Sequence, residues 1–278
     1  MGAGAILLWS LLGLLTAASG AVPPFQLAAM TFLVGGLVGA CTWPVRPGAM
    51  RSLRQGWRVW ALGVGGLFGY HALYFAALRR APPAEAGLVN YLWPLLIVLF
   101  AAALPGERLK PAHLVGALMG FAGVFVLIAG RTSLTLAPEH AWGYGYAFVG
   151  SFVWAGYSVL SRRFGHVPSD VVGGFCLVTA ALSALCHAAF ETTVWPQTTS
   201  QWLAVLALGL GPVGAAFYLW DTGVKRGDIR FLGVVSYAAP VLSTLILVVA
   251  GYAEPTLALA AACALIVAGA LVATWRRR

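Results

Sequence analysis

Charge is the scarcest property of this chain. Of 278 residues, 17 are Lys or Arg and 8 are Asp or Glu, 9% in all, against about 25% in a soluble domain. Hydrophobic residues make up 60% and the mean hydropathy is +0.86, so the chain is an integral membrane protein. No polar stretch is long enough to fold alone, which leaves one membrane domain over residues 1–278. The net charge of +9 does not imply a nucleic-acid partner. The basic residues sit in short loops and at the C-terminus, where membrane topology requires them. Cysteine is sparse as well: Cys41, Cys176, Cys186 and Cys263 stand apart in apolar segments and read as small packing residues. There is no phosphate-binding loop, no HExxH, no Gly-x-Ser-x-Gly and no pair of membrane aspartates, so ATP-driven pumping and intramembrane hydrolysis lack their machinery. No cofactor or metal is expected, and the chain does not read as an enzyme.

What the chain has in abundance is similarity to itself. A shift of 146 positions lays Gly65 on Gly211, Arg79-Arg80 on Lys225-Arg226, Gly87 on Gly233, Tyr91 on Tyr237 and Pro94 on Pro240. A shift of 145 lays Trp9 on Trp154, Gly20 on Gly165 and Val22-Pro23 on Val167-Pro168. Residues 1–135 and 136–278 are therefore two copies of one unit. The segment Gly2 to Gly20 ends in small residues like a signal peptide, but it lacks a basic start and its Trp9 recurs as Trp154. It reads as a retained helix.

Crossing about 30 Å of hydrocarbon takes about 20 apolar residues. Spans at 3–21, 25–43, 59–78, 84–104, 111–130, 141–161, 170–190, 202–222, 230–250 and 256–275 meet this, with breaks at Val22-Pro23-Pro24, Pro44 to Pro47, Ala81-Pro82-Pro83, Pro105-Gly106, Val167-Pro168 and Glu254-Pro255. The expected fold is an all-α integral membrane protein of ten transmembrane helices, five in each half. With the N-terminus in the cytoplasm, the inside loops hold Arg46, Arg51, Arg54, Arg58, Arg108, Lys110, Arg162, Arg163, Lys225, Arg226 and Arg230, and the tail adds Arg276, Arg277 and Arg278. Only Arg79, Arg80 and Arg131 remain outside, together with Glu85, Glu139, Glu191 and Glu254. This bias places both termini in the cytoplasm, in a cytoplasmic (inner) membrane. Because five is odd, the halves are inverted repeats, an architecture associated with alternating access.

Ionisable groups within a bilayer are costly and tend to be functional. Asp221 stands four residues before Lys225 and reads as half of a helix-end ion pair. His187 and His113 lie near helix ends, as satisfied and interfacial groups. His71 borders the face of Tyr70 and Tyr74, where a packed and a functional role stay equally open. Asn90-Tyr91-Leu92-Trp93-Pro94 and Ser236-Tyr237-Ala238-Ala239-Pro240 occupy equivalent mid-helix positions. Each proline should kink its helix and free carbonyls beside the polar residue. Pro94, Pro240, Gly211 and Pro212 are accordingly the candidate hinges. The aromatics Trp43, Trp57, Trp60, Trp142, Trp195, Trp202 and Trp275 suit a headgroup belt. Deeper ones, Trp9, Tyr70, Tyr74, Tyr91, Trp93, Trp154 and Tyr237, either fill the core or wall a cavity for a ligand with an apolar ring and an ammonium.

The two five-helix halves, the run Tyr74-Phe-Ala-Ala-Leu-Arg-Arg and the Pro94 helix resemble the drug/metabolite transporter superfamily, in its EamA-type branch. Asn90 to Pro94 with Trp9, Tyr70, His71 and Tyr74 resemble the members that export aromatic amino acids. The resemblance implies a central cavity enclosed by the first, third, fourth, sixth, eighth and ninth helices, with the fifth and tenth peripheral. On that basis the expected substrate-binding residues are Trp9, Tyr70, His71, Tyr74, Asn90, Tyr91, Trp93, Trp154, Tyr157, Ser236 and Tyr237. The expected activity is facilitated export of aromatic and other large neutral amino acids, for which a monomer in the bilayer suffices. The alternatives are export of another neutral or cationic drug or metabolite, or a channel.

Overall fold

The computed structural model describes residues 1–46, 48–104, 109–134, 137–251 and 253–274. Arg108, Trp275, Arg276, Arg277 and Arg278, the breaks at Pro47 and Pro105-Gly106, and the division between 135 and 136 lie outside the described residues.

All regular structure among the described residues is helical. Eight helices are long and apolar enough to cross a membrane: Pro24–Val45, Trp57–Leu78, Pro83–Ala101, Pro111–Ala129, Val171–Phe190, Thr199–Arg226, Ile229–Val249 and Leu257–Thr274. The chain is thus a multi-pass membrane protein. The shorter apolar helix Gly2–Ala18 is interrupted at Leu11. Ala141–Ser161 has 21 residues, but its Gly, Ser and Tyr content keeps it out of the apolar set.

Local chemistry explains the boundaries. Pro24, Pro83 and Pro111 open their helices, where the missing N–H costs nothing. The Thr198 side chain accepts from Gln201 N, and Asp228 accepts from Arg230 N and Phe231 N at 3.0 and 3.1 Å, capping the helices that follow. One assignment needs correction. Glu85, expected in an outside loop, lies in the first turn of Pro83–Asn90 and is 5% exposed; the orphan N–H groups of that turn favour an acid there. His113, expected near a helix end, lies in the first turn of Pro111–Ala129 and is buried against the protein.

The repeat recurs as local geometry. Helix Trp57–Leu78 widens into a π turn at Gly65–Gly69, and Thr199–Arg226 does so at Gly211–Ala215. The two turns are 146 positions apart. In the second, Pro212 offers no N–H, and a wider turn accommodates the lost bond. The proline-bearing helices also break at matching places, Pro83–Asn90 giving way to Trp93–Ala101 and Ile229–Ser236 to Ala238–Val249. A proline ring clashes with the carbonyl four residues back, at Asn90 for Pro94 and Ser236 for Pro240. Each break begins directly after that residue.

The chain forms two compact units, Met1–Gly69 with Ser161–Arg226, and Tyr70–Leu160 with Gly227–Arg278. Each draws segments from both sequence halves. In the first unit, helix Pro24–Thr42 packs on Val171–Phe190: a Cβ at Gly36 would meet Leu177, and one at Gly39 would meet Gly173. In the second, Pro111–Ala129 packs on Leu257–Thr274, with Gly116 against Gly269, Gly123 against Ala262 and Gly130 against Ala258. Along both pairs one number rises as the other falls, so the helices run antiparallel. Absence of side chains lets the backbones approach closely. Equivalent contacts also recur: Gly4 faces Leu219 in the first unit, and 146 positions on, Gly150 faces Leu73 in the second.

Candidate functional site

Tyr70 is the organising side chain of the second unit. It follows the π turn, and its hydroxyl accepts a 2.9 Å hydrogen bond from Asn90 Nδ2. Its ring lies parallel to that of Tyr74, 2° between planes and 6.1 Å between centroids. It meets Trp154 at 5.3 Å and His71, edge-on, at 5.2 Å. Trp154 in turn contacts Trp93 at 6.3 Å and Tyr157 at 5.3 Å. Seven of the expected site residues, Tyr70, His71, Tyr74, Asn90, Trp93, Trp154 and Tyr157, thus form one connected group. Trp93, Trp154 and Tyr157 are buried, whereas Tyr70, His71 and Tyr74 are half-buried and keep ring surface uncovered.

Asn90 is the polar centre of the group. It is 5% exposed, and its Oδ1 has no hydrogen-bond partner among the described residues. A buried acceptor left unsatisfied costs about 1–3 kcal/mol, so a ligand donor at this oxygen would recover stabilisation. Gly150 faces both the Tyr70 ring and Asn90 Oδ1 at van der Waals distance. The side chains assembled here are phenols, indoles, an imidazole and an amide. Such a set can stack a flat ring and accept from an ammonium, but it cannot neutralise a phosphate.

Of the four other expected residues, Tyr91 interacts electrostatically with Tyr70 and Tyr74. Trp9 belongs to the first unit, where its Nε1 donates to Pro212 O, in the second π turn, at 3.0 Å. It contacts Trp220 at 5.0 Å and Phe217 at 6.1 Å, and Phe217 stacks on Phe32 at 5.5 Å. A shift of 146 maps Phe217 on His71 and Trp220 on Tyr74. This second group is therefore the repeat counterpart of the first, with Phe217 and Trp220 buried and Trp9 half-buried. Its members Phe217 and Trp220 were not expected at a site; their alignment with His71 and Tyr74 was the available signal.

Ser236 Oγ donates to Leu232 O at 2.6 Å within its own helix. Tyr237 is fully buried, and its hydroxyl accepts from Leu95 N at 3.2 Å, satisfying an orphan donor in the first turn of Trp93–Ala101. Tyr91 packs against the apolar cluster that contains Tyr237. Pro94 O stands where a Cβ at Gly233 would meet it at 2.9 Å.

Asp221, Lys225, Glu191 and His187 are tied up structurally. Lys225 Nζ meets Asp221 Oδ2 at 2.8 Å, the expected helix-end pair, and Ser169 Oγ donates to the same oxygen at 2.6 Å. Glu191 accepts from the N–H groups of Phe25 and Gln26, each at 3.1 Å, and so caps helix Pro24–Thr42. His187 Nδ1 lies 3.1 Å from Glu191 Oε2, and its Nε2 lies 2.9 Å from Thr193 Oγ1.

A model of the EamA-like transporter family matches residues 1–129 and 141–275. The aromatic amino acid exporter YddG of Ancylobacter novellus is 64% identical over 275 residues, covering 99% of this chain and 96% of that protein. YddG of Escherichia coli is 28% identical over 265 residues, 86% of this chain and 84% of its own length. A crystal structure with 64% identity superposes with a TM-score of 0.95 over 99% of this chain and 95% of its own.

Proposed function

Since the chain belongs to the EamA-like transporter family and is a membrane transporter rather than an enzyme, we propose that it exports aromatic and other large neutral amino acids. The observation that carries this reading is the Tyr70–Asn90 group. Tyr70, Tyr74, Trp93 and Trp154 form one chain of ring contacts, and the Tyr70 hydroxyl holds the buried amide of Asn90, whose Oδ1 has no hydrogen-bond partner among the described residues. The substrate ring stacks on these aromatics, and its ammonium donates to Asn90 Oδ1. Each stacking or cation–π contact contributes about 0.5–2 kcal/mol. His71 lines the same group. Trp9, Ser236 and Tyr237 serve packing instead, since their polar atoms are engaged by backbone.

The similarity of 64% to a protein named an aromatic amino acid exporter supports the substrate class. The charge bias supports ten helices with both termini in the cytoplasm of a bacterial inner membrane. Antiparallel packing of equivalent helices, and π turns 146 positions apart, support an inverted repeat over 1–135 and 136–278 and hence alternating access. Pro94, Pro240 and the Gly211-Pro212 turn are the flexible points. Asp221 with Lys225 and Glu191 with His187 are held in ion pairs and a helix cap, which supports transport down the substrate gradient without proton coupling. Uptake of labelled phenylalanine into proteoliposomes should saturate with concentration and be competed by tryptophan. Flux no greater than in empty vesicles, with folded protein present, would refute the reading.

A further inference from the structure

Residues 50–58 form an ordered platform at one end of the first unit. The turn Met50–Leu53 is held from beneath. Ser52 is buried, and its Oγ donates to Ala49 O at 2.5 Å. Leu53 O accepts from Trp60 Nε1 at 3.3 Å. Gly174 makes room for both side chains, since a Cβ there would lie 2.7 Å from Leu53 and from Trp60. Just before the platform, Arg46 is fixed to Asp170 at 2.7 Å.

The exposed side chains of this segment are cationic and apolar together. Met50 is 60% exposed and Trp57 74%, with Arg51, Arg54 and Arg58 exposed among them. The Arg58 guanidinium stands 5.7 Å over the Trp57 ring. Residues 50–58 contain no acid, and no ion pair holds Arg51 or Arg54 among the described residues.

The repeat supplies an internal control. The equivalent segment, 196–204, contains no charged residue, yet it presents the exposed Trp202, stacked on Trp195 at 6.1 Å. An exposed tryptophan is common to both ends, as headgroup anchoring requires. Of these two segments, only 50–58 carries guanidinium groups.

We infer that residues 50–58 bind the headgroup phosphate of an anionic phospholipid in the cytoplasmic leaflet. Arg51, Arg54 and Arg58 fork onto phosphodiester oxygens, while Trp57 and Met50 enter the interfacial zone. Arginine suits this task because its planar donors match phosphate geometry, which lysine does not. The anionic cytoplasmic leaflet adds a further attraction for each basic residue. This inference rests on the cytoplasmic assignment of that end made above.

The test is native mass spectrometry of the full chain with phosphatidylglycerol, phosphatidylcholine or inorganic phosphate, comparing wild type with R51Q/R54Q/R58Q and R51K/R54K/R58K. Retention of phosphatidylglycerol should fall at least about tenfold in the Gln variant and several-fold in the Lys variant. Phosphatidylcholine and inorganic phosphate should not compete. Should the Gln variant fail to insert, the Lys variant, which preserves the topological charge, decides alone. Equal retention by wild type and variants, or displacement by inorganic phosphate, would overturn the inference. Phenylalanine flux measured on the same preparations separates this failure from failure of the export reading.

Discussion

At the scale of single residues, the account turns on Asn90. Its Nδ2 is fixed by the Tyr70 hydroxyl and its Oδ1 is left for a ligand. Asn90→Leu removes the acceptor while keeping the volume, and we predict at least a tenfold rise in half-saturating phenylalanine concentration. Tyr70→Phe keeps the stacking surface and frees only the amide, worth about 0.5–1.5 kcal/mol, so its half-saturating concentration should rise by less than about tenfold. Saturable uptake in proteoliposomes reads both, and wild-type values in Asn90→Leu would remove Asn90 from the site. The Asp221–Lys225 pair poses a stability question instead. Lys225→Met leaves a buried carboxylate whose side chain is 2% exposed, a loss of about 3–5 kcal/mol. Asp221→Asn with Lys225→Met should recover most of it. A double variant as unstable as Lys225→Met, by thermal unfolding in detergent, would contradict the pairing.

Among elements, sequence and structure agree where the physics is local. The helix breaks at Asn90 and Ser236 are legible because a proline excludes the bond four residues back whatever surrounds it. The apolar spans are legible because length and hydropathy are properties of one helix. Glu85 was misplaced because hydropathy assigns acidic groups to loops and cannot register a helix-start environment. Tyr91 and Tyr237 look equivalent in the repeat, but Tyr237 is consumed by the Leu95 donor, a contact 142 residues distant. Trp9 and Trp154 are likewise equivalent in the repeat, but Trp9 contacts Phe217 and Trp220 whereas Trp154 contacts Tyr70 and Trp93. The close antiparallel helix pair of the second unit yields a sharp prediction. A Cβ at Gly116 would lie 2.5 Å from the Gly269 carbonyl oxygen, backbone that cannot move aside, so Gly116→Val should abolish recovery of folded protein. Gly87→Ala, where nothing lies within 4 Å, should fold normally. Size-exclusion chromatography after membrane extraction distinguishes the two.

For the whole molecule, the central claim is that an inverted duplication has been specialised unequally. One aromatic group carries phenols, an imidazole and an amide; its counterpart carries Trp9, Phe217 and Trp220 in apolar packing. A carrier of this kind exposes its site to one side at a time, which a channel does not. Counterflow examines that claim most directly. Proteoliposomes preloaded with unlabelled phenylalanine, then diluted into a trace of labelled phenylalanine, should accumulate label transiently above equilibrium, and Asn90→Leu should diminish the overshoot. A monotonic approach to equilibrium at a rate independent of the preload would contradict the account.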